Sequence, residues 1–224
     1  MYQVLKRAFD IAASLLALIV LSPVLLICAI AIEVSDPGPV FYMARRVGQH
    51  DRVFRMFKFR SMRVDKAANE KSFKADTNRI FPWGKFMRDS KLDELPQLIN
   101  ILIGDMSIIG PRPASVDQTD IVRAGQYSAT SALRPGLSGP SALYDYIYGD
   151  TIEDEKEYEE KVLKTRLDLD LYYSRVQSVG YDLKMIWYTV ICVVMLVAHR
   201  QPAWMLDELV AAAATVTGGE GVKA

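Results

Sequence analysis

Twenty-two consecutive residues, 11–32, carry no charge, and Asp10 and Glu33 bound them. As one straight helix they would reach about 33 Å, enough for a hydrocarbon core of roughly 30 Å. Three forms compete for such a run: a cleaved leader, a span, or a segment that enters the bilayer and returns. Ala29-Ile30-Ala31 mimics a leader cleavage site, but the run is long for a leader core and Asp10 interrupts its basic approach. A lipoprotein leader also fails, because Ile27 stands where a small residue should precede Cys28. Pro23, preceded by Ser22, falls near the middle of the run. Proline removes one backbone hydrogen bond and clashes with the preceding turn, so it bends a helix. Spanning helices tolerate proline, so the break alone does not decide. The flanking charges tip the balance. Lys6 and Arg7 precede the run and Arg45 and Arg46 follow it, and positive residues on both sides prefer the cytoplasm. The expected form is a re-entrant helix-break-helix over residues 1–35, with the break at Ser22 and Pro23. The freed backbone groups would need protein or Ser22 to satisfy them.

The remaining sequence is long enough for one domain with its own core. Lys+Arg 27 balances Asp+Glu 27, so bulk charge selects no partner and no nucleic acid is expected. The local distribution says more. Arg45, Arg46, Arg52, Arg55, Lys58, Arg60 and Arg63 face one acid, Asp51, within residues 45–63. Such a block can meet phosphate groups of a nucleotide or a lipid, although a solvated surface is the commoner meaning. Cys28 and Cys192 both lie in apolar runs and read as packing residues. With two histidines, His50 and His199, and no partner at catalytic spacing, a His-based triad or zinc site is not expected. No Gly-rich dinucleotide fingerprint or Walker loop is present.

Asp36-Pro37-Gly38-Pro39 is a turn that ends the apolar segment. Residues 40–47 and 53–59 read as strands of a hairpin around Gly48-Gln49-His50-Asp51. Strand alternation puts Phe57 and Phe59 on one face and Lys58 and Arg60 on the other. Residues 80–87 read as a short helix with Arg88 at its end, and residues 96–103 as a second, stopped by Gly104. Residues 154–176 form a charged amphipathic helix or helix pair with Leu163, Leu167 and Leu171 inward. Residues 186–198 are apolar but short for a span, which suggests an interfacial or core-packing helix. The fold expected is mainly α with a short β-hairpin (α+β). Residues 36–180 would form the catalytic body, 181–203 a C-terminal interfacial helix, and 204–224, rich in Ala, Thr and Gly, a disordered tail.

The chemistry gathers in Asp93-Glu94-Leu95-Pro96-Gln97 and Gly110-Pro111-Arg112-Pro113. Taken alone, Ser90-Lys91-Leu92-Asp93 fits a capping box, and that is the better reading of the motif by itself. Pro96 complicates it, since proline suits a first helical turn and would put both acids at a helix mouth. A carboxylate there should keep a low pKa. Ionised, it can attack phosphorus. Two neighbouring carboxylates call for a counter-cation, and Mg²⁺ shared with substrate phosphates meets that need. Pro111 and Pro113 stiffen the backbone around Arg112, whose planar fork suits phosphate oxygens. A solvated turn arginine is an equal alternative. Arg88 offers another cation five residues before Asp93.

Together these pieces resemble the bacterial sugar transferase family of monotopic polyprenyl-phosphate phosphoglycosyl transferases. The matching motifs are the Ser22-Pro23 break, Lys58-Phe59-Arg60-Ser61-Met62-Arg63, Leu92-Asp93-Glu94-Leu95-Pro96-Gln97 and Ser107-Ile108-Ile109-Gly110-Pro111-Arg112-Pro113. Arg134-Pro135-Gly136-Leu137-Ser138-Gly139 and Asp182-Leu183-Lys184 complete the set. They follow family order over most of residues 1–200, and the likeness is to the minimal form of the enzyme. The resemblance implies that Asp93 attacks the sugar-linked phosphorus of a UDP-sugar and releases UMP. Polyprenyl (undecaprenyl) phosphate would then displace Asp93. It further implies Asp93 as a Mg²⁺ ligand, Glu94 as an assistant, and Arg88 and Arg112 as phosphate holders beside Pro111. Lys58 and Arg60 are second-rank candidates. The implied place is the cytoplasmic face of the bacterial inner membrane, among membrane lipid, with a homodimer left open. Two departures stand out: the tail from Trp204 has no counterpart in the family pattern, and after Gly139 many relatives continue with an aromatic or apolar residue and a Gln-Val pair, where this chain has Pro140-Ser141-Ala142-Leu143-Tyr144. The second puts the sugar in question. A membrane-attached lipid-binding or scaffold protein without catalysis is the rival reading.

Overall fold

The computed structural model of the protein describes residues 1–64 and 77–217. It is mainly helical with two small sheets, in line with the expected α+β class. Helices α1 (Tyr2–Val20) and α2 (Ser22–Ser35) meet at Leu21 with a bend of 61°. The cause is local. Pro23 cannot donate to the Ile19 carbonyl one turn back, and the Ser22 hydroxyl donates to that same carbonyl at 2.8 Å. One side of the pair faces outward with Leu16, Ile19, Val20, Leu26, Ile27, Ile30 and Val34 exposed.

The polar start of α1 is tied down. The Arg7 guanidinium donates to the Ile101 and Leu102 carbonyls at 2.6 and 3.0 Å, and Lys6 pairs with Asp182 at 2.7 Å. Tyr2 and Tyr173 donate hydroxyls to the same Asp182 carboxylate. At the other end, Cys28 and Ile32 of α2 pack on Phe59, Phe81 and Met87. Both cysteines are free and buried, as packing residues should be.

Strands β1 (Phe41–Val47) and β2 (Val53–Phe59) form the expected antiparallel hairpin, with Arg45 opposite Arg55. Its inner face carries Ala44, Phe54 and Met56. Helix α3 (Pro82–Asp89) starts at Pro82, two residues later than the periodicity suggests. Gly84 lets it approach: a Cβ there would lie 2.0 Å from the Ser61 carbonyl oxygen. Helix α4 (Gln97–Ile103) closes on Gly104 at φ 105°. Its Leu98 and Ile101 pack under the hairpin with Met106.

Strand β3 (Ser107–Ile109) precedes β4 (Ala114–Ser115), which joins the free edge of β1. The short helix α5 (Thr119–Val122) follows. Strand β5 (Gly136–Ser138) runs parallel to β3. Gly110 and Gly136 are needed at this crossing, because a Cβ on either would fall within 2.4 Å of the other segment's backbone.

Helix α6 (Pro140–Ile147) is buried along its whole length. Helices α7 (Glu155–Tyr158) and α8 (Lys164–Val176) are joined through a π-helical turn and bury Leu163, Leu167 and Leu171 as expected. The largest core lies among α6, α8, α9 (Val179–Val197) and α10 (Ala203–Thr217), around Leu143, Leu169, Tyr173, Met185 and Leu209.

Two expectations are corrected here. The apolar stretch read as thirteen residues belongs to a nineteen-residue helix, α9, long and apolar enough to cross a membrane by length and composition. Val179 to Tyr181 and the Asp182–Lys184 turn extend it backwards, because Ser178 caps it by accepting from the Tyr181 N–H. The tail expected to be disordered from residue 204 is helical through Thr217. Met205, Leu209, Ala213 and Val216 are buried on its inner side. Alanine gives high helix propensity and lets α10 pack closely. Residues 218–224 of that tail lie outside the described residues.

Candidate active site

The site begins with a kink. The Ser90 hydroxyl donates to the Phe86 and Met87 carbonyls, so it closes α3 and caps nothing that follows. Lys91 then adopts the left-handed conformation at φ 58°, a strained choice for a lysine. A single 3-10 turn, Leu92–Glu94, leads into Pro96 and α4. The capping box is therefore not formed, and Asp93 makes no cap hydrogen bond.

The two acids meet opposite circumstances. Glu94 is fully engaged: its Oε1 accepts from Lys58 Nζ at 2.9 Å and its Oε2 from the Tyr146 hydroxyl at 2.9 Å. Burial alone would raise its pKa, but Lys58, then Arg112 and Lys91, outweigh that and hold it at about 2. Asp93 is 5% exposed. Among the described residues none donates a hydrogen bond to its carboxylate. Burial raises its pKa, aided by the charge of Glu94 and opposed by Lys58, Arg88 and Lys91. The low pKa expected for a helix-mouth acid thus belongs to Glu94 and not to Asp93. Sequence shows neighbours along the chain but not desolvation.

Arg112 lies in the loop between β3 and β4. The Pro111 carbonyl accepts from Gly136 N at 2.8 Å, and the Arg112 N–H donates to Asp170 Oδ1 at 3.1 Å. Its side chain pairs with Asp145 of α6 at 3.0 Å. Asp145 is held in turn by the Tyr158 hydroxyl at 2.7 Å. Burial pushes the Asp170 carboxyl up to about 6, against the Ser141 hydroxyl and the charge of Arg166.

Arg46, Lys58, Glu94, Gln97, Arg112 and Gly136 line one cleft of about 60 Å³. Three cationic side chains, Arg46, Lys58 and Arg112, thus line one cleft with Glu94, which suits a ligand with several phosphate oxygens. Asp93 is not in that lining. Arg88 lies in the last turn of α3, and its charge acts on Asp93. Pro111 acts through its backbone.

Arg60 is placed elsewhere. It is buried, pairs with Asp36, donates to the Pro39 carbonyl at 2.6 Å and lies over the Phe81 ring. It braces the exit from α2 instead of joining Lys58, because β2 ends at Phe59 and the alternation stops there. Ser22 and Pro23 sit at the helix bend, away from the cleft lining.

Sequence reasoning missed four contributors: Arg46, Lys91, Asp145 and Tyr146. Arg46 stood inside the basic block without distinction. Asp145 and Tyr146 follow directly on residues 140–144, the segment that departs from the common pattern, and their partners are distant in sequence. Among the described residues no group of three or more His, Cys, Asp or Glu gathers to hold a metal ion. Asp93, to whose carboxylate no described residue donates, is of the kind through which Mg²⁺ is commonly held, together with waters and substrate phosphates.

Comparison with known proteins shows the family. The family described as Bacterial sugar transferase matches residues 1–196. The UDP-glucose:undecaprenyl-phosphate glucose-1-phosphate transferase of Escherichia coli (strain K12) is 37% identical over 84% of this chain and 40% of its own length. The exopolysaccharide production protein PSS of Rhizobium leguminosarum bv. phaseoli is 37% identical over 84% of this chain and 94% of its own. The UDP-N-acetylgalactosamine-undecaprenyl-phosphate N-acetylgalactosaminephosphotransferase of Aeromonas hydrophila is 35% identical over 84% of this chain and 43% of its own. The chain thus spans about two fifths of the length of several of these relatives. With a family match across most of its length and a full-length relative at this identity, the chain belongs to the bacterial sugar transferase family.

Proposed function

We propose that this chain transfers a phosphosugar from a UDP-sugar to undecaprenyl phosphate, as the printed names of its relatives describe for them. The observation that carries the reading is the asymmetry of the acidic pair: Glu94 is committed to Lys58 and Tyr146, while Asp93 keeps a desolvated carboxylate to which no described residue donates. A desolvated carboxylate that is not hydrogen-bonded is the better nucleophile.

In the first step an Asp93 oxygen attacks the sugar-linked phosphorus. The bond from that phosphorus to the UMP oxygen breaks, UMP leaves with the electron pair, and an aspartyl-phosphosugar remains. In the second step a phosphate oxygen of undecaprenyl phosphate attacks the same phosphorus, and Asp93 leaves as carboxylate. The products are UMP and undecaprenyl-diphosphate sugar. Lys58, Arg46 and Arg112 hold phosphate oxygens, and Arg88 supplies positive charge beside Asp93. Mg²⁺ held by Asp93 and the substrate would offset the charge of the diphosphate. Glu94 stays ionised and keeps Lys58 in place. Because Asp93 is 5% exposed, substrate binding must open the approach to it.

The same proposal gives the chain a re-entrant attachment at the cytoplasmic face of the inner membrane. Lys6 and Arg7 at the start of α1 bind the body, and α2 leads into β1 through residues 36–40. Both ends of the apolar segment therefore join the same body, which supports entry and return from one side. Exposed Trp187 and Trp204 suit the headgroup layer.

The test is UMP release from a panel of UDP-sugars with undecaprenyl phosphate and Mg²⁺. Asp93→Asn should lower it by about three orders of magnitude or more, as loss of a covalent nucleophile does. Full turnover by a folded Asp93→Asn protein would rule out the nucleophile.

A further inference from the structure

We propose that Tyr146 is a positioning residue of the acidic pair: its hydroxyl fixes Glu94, and its ring, with Asp150, fixes Lys91. The proposal rests on the transferase reading above and extends it to a residue outside the matched motifs.

The geometry is specific. The Tyr146 hydroxyl donates to Glu94 Oε2, the oxygen that Lys58 does not occupy. The face of the same ring carries Lys91 Nζ at 4.1 Å from its centroid, within cation–π range. Asp150, four residues further on, pairs with that ammonium at 2.7 Å. Lys91 is the left-handed residue that launches the Leu92–Glu94 turn. A positive φ at a lysine costs energy and persists only where the surroundings impose it. One side chain therefore reaches both ends of the turn that presents Asp93: the residue two before it and the residue after it. Tyr146 itself is 6% exposed on the buried helix α6, so its ring cannot drift with solvent.

The consequence is a division of labour enforced by packing. With both Glu94 oxygens engaged, Glu94 cannot rotate to compete with Asp93 for a phosphorus or a cation. With Lys91 clamped between ring and carboxylate, the kink cannot relax toward α geometry and turn Asp93 away. Tyr146 touches neither of the bonds that form and break, so it acts through Glu94 and Lys91.

The experiment measures single-turnover UMP release, KM for the UDP-sugar and thermal unfolding of the full chain in detergent. Tyr146→Phe keeps the ring under Lys91 and removes only the donor to Glu94. Its rate should fall about tenfold, with KM within about twofold of wild type. In a Glu94→Gln background the same change should cost little more, since its target is already altered. Tyr127→Phe, which removes a hydroxyl bound to Asp168 away from the site, should keep the wild-type rate. Asp150→Asn frees Lys91 from a half-exposed partner and leaves Tyr146 intact, and should lower the rate about threefold. A Tyr146→Phe rate within twofold of wild type overturns the Glu94 contact as a positioning device. So does an equal loss in both backgrounds. An unchanged Asp150→Asn rate overturns the clamp on Lys91, and it remains decisive if Tyr146→Phe fails to fold. Absence of UMP release from the wild-type chain with every UDP-sugar would instead reject the transferase reading, and this proposal with it.

Discussion

The Asp10 carboxylate of α1 accepts a hydrogen bond from the Ser107 hydroxyl of β3 at 2.8 Å, and its second oxygen accepts from the Ile108 N–H at 3.0 Å. Asp10 is 1% exposed. A buried carboxylate at the head of an apolar helix is costly unless paired, and this pair docks the helix onto the strand that leads to Arg112. The apolar helix α1 and the strand that leads to the Arg112 loop are thus one mechanical unit.

Asp10→Ala should therefore do more than shorten a side chain. It leaves a buried hydroxyl and a backbone N–H without acceptors, at a cost of about 2–4 kcal/mol. Asp10→Asn keeps an acceptor for one donor and should cost less. Thermal unfolding in detergent measures the difference. Equal stability of wild type and Asp10→Ala would mean that α1 is held elsewhere.

Topology offers a second test. Gln3 lies on α1 and donates to Gln177 of the body at 2.9 Å. A cysteine placed at residue 3 and another placed on α8 should react with an impermeant thiol reagent from the same, cytoplasmic, side of sealed vesicles. Labelling of residue 3 from the opposite side would refute entry and return. Pro23→Ala restores the missing N–H and should reduce the 61° bend, making a straight span more accessible in the same assay.

Local rules made much of this architecture readable. The break at Ser22 and Pro23, the hairpin and the α8 stripe all follow from proline, turn residues and periodicity, which act within a few positions. Strand β1 starts one residue from its expected place. The tail failed for the opposite reason. Its low-complexity composition resembles disorder, and only the groove against α8 makes Met205, Leu209 and Ala213 a buried row. The site divided in the same way. Asp93, Glu94, Arg88 and Arg112 stood out by local chemistry, whereas Tyr146 meets Glu94 across 52 positions and Lys91 meets Asp150 across 59. Arg60 was grouped with Lys58 by strand alternation, yet the strand ends before it and Asp36 claims it.

Asp145 is the support beneath Arg112. It is buried, while the Arg112 side chain is about one-third exposed toward the cleft. Asp145→Asn removes the charge that aims the guanidinium but keeps an oxygen for the Tyr158 hydroxyl. KM for the UDP-sugar should rise about tenfold with a small change in kcat, as expected when binding common to ground and transition states is lost. Arg112→Lys keeps charge without the planar fork and should show a similar KM effect. A fall in kcat at constant KM would place Arg112 in the chemical step instead.

Asp170 gives the fold a pH dependence with a definite sign. Burial raises its pKa from 3.8 to about 6, although the Ser141 hydroxyl, Arg166 and the Arg112 N–H favour the ionised form. A carboxyl whose folded pKa exceeds its unfolded one binds more protons in the folded state between those values. Its contribution is fully present below about pH 4 and is lost as pH rises through about 6. A shift of about two units corresponds to roughly 3 kcal/mol at most. Asp170→Asn cannot ionise, yet its amide oxygen can still accept from Ser141 and the Arg112 N–H. The stability of wild type relative to Asp170→Asn should therefore fall between pH 4 and pH 6 and stay level above pH 7. Thermal unfolding of both proteins across that range reads the difference directly. A wild-type protein that gains stability relative to Asp170→Asn as pH rises would show that Arg166 and its neighbours outweigh burial at this position.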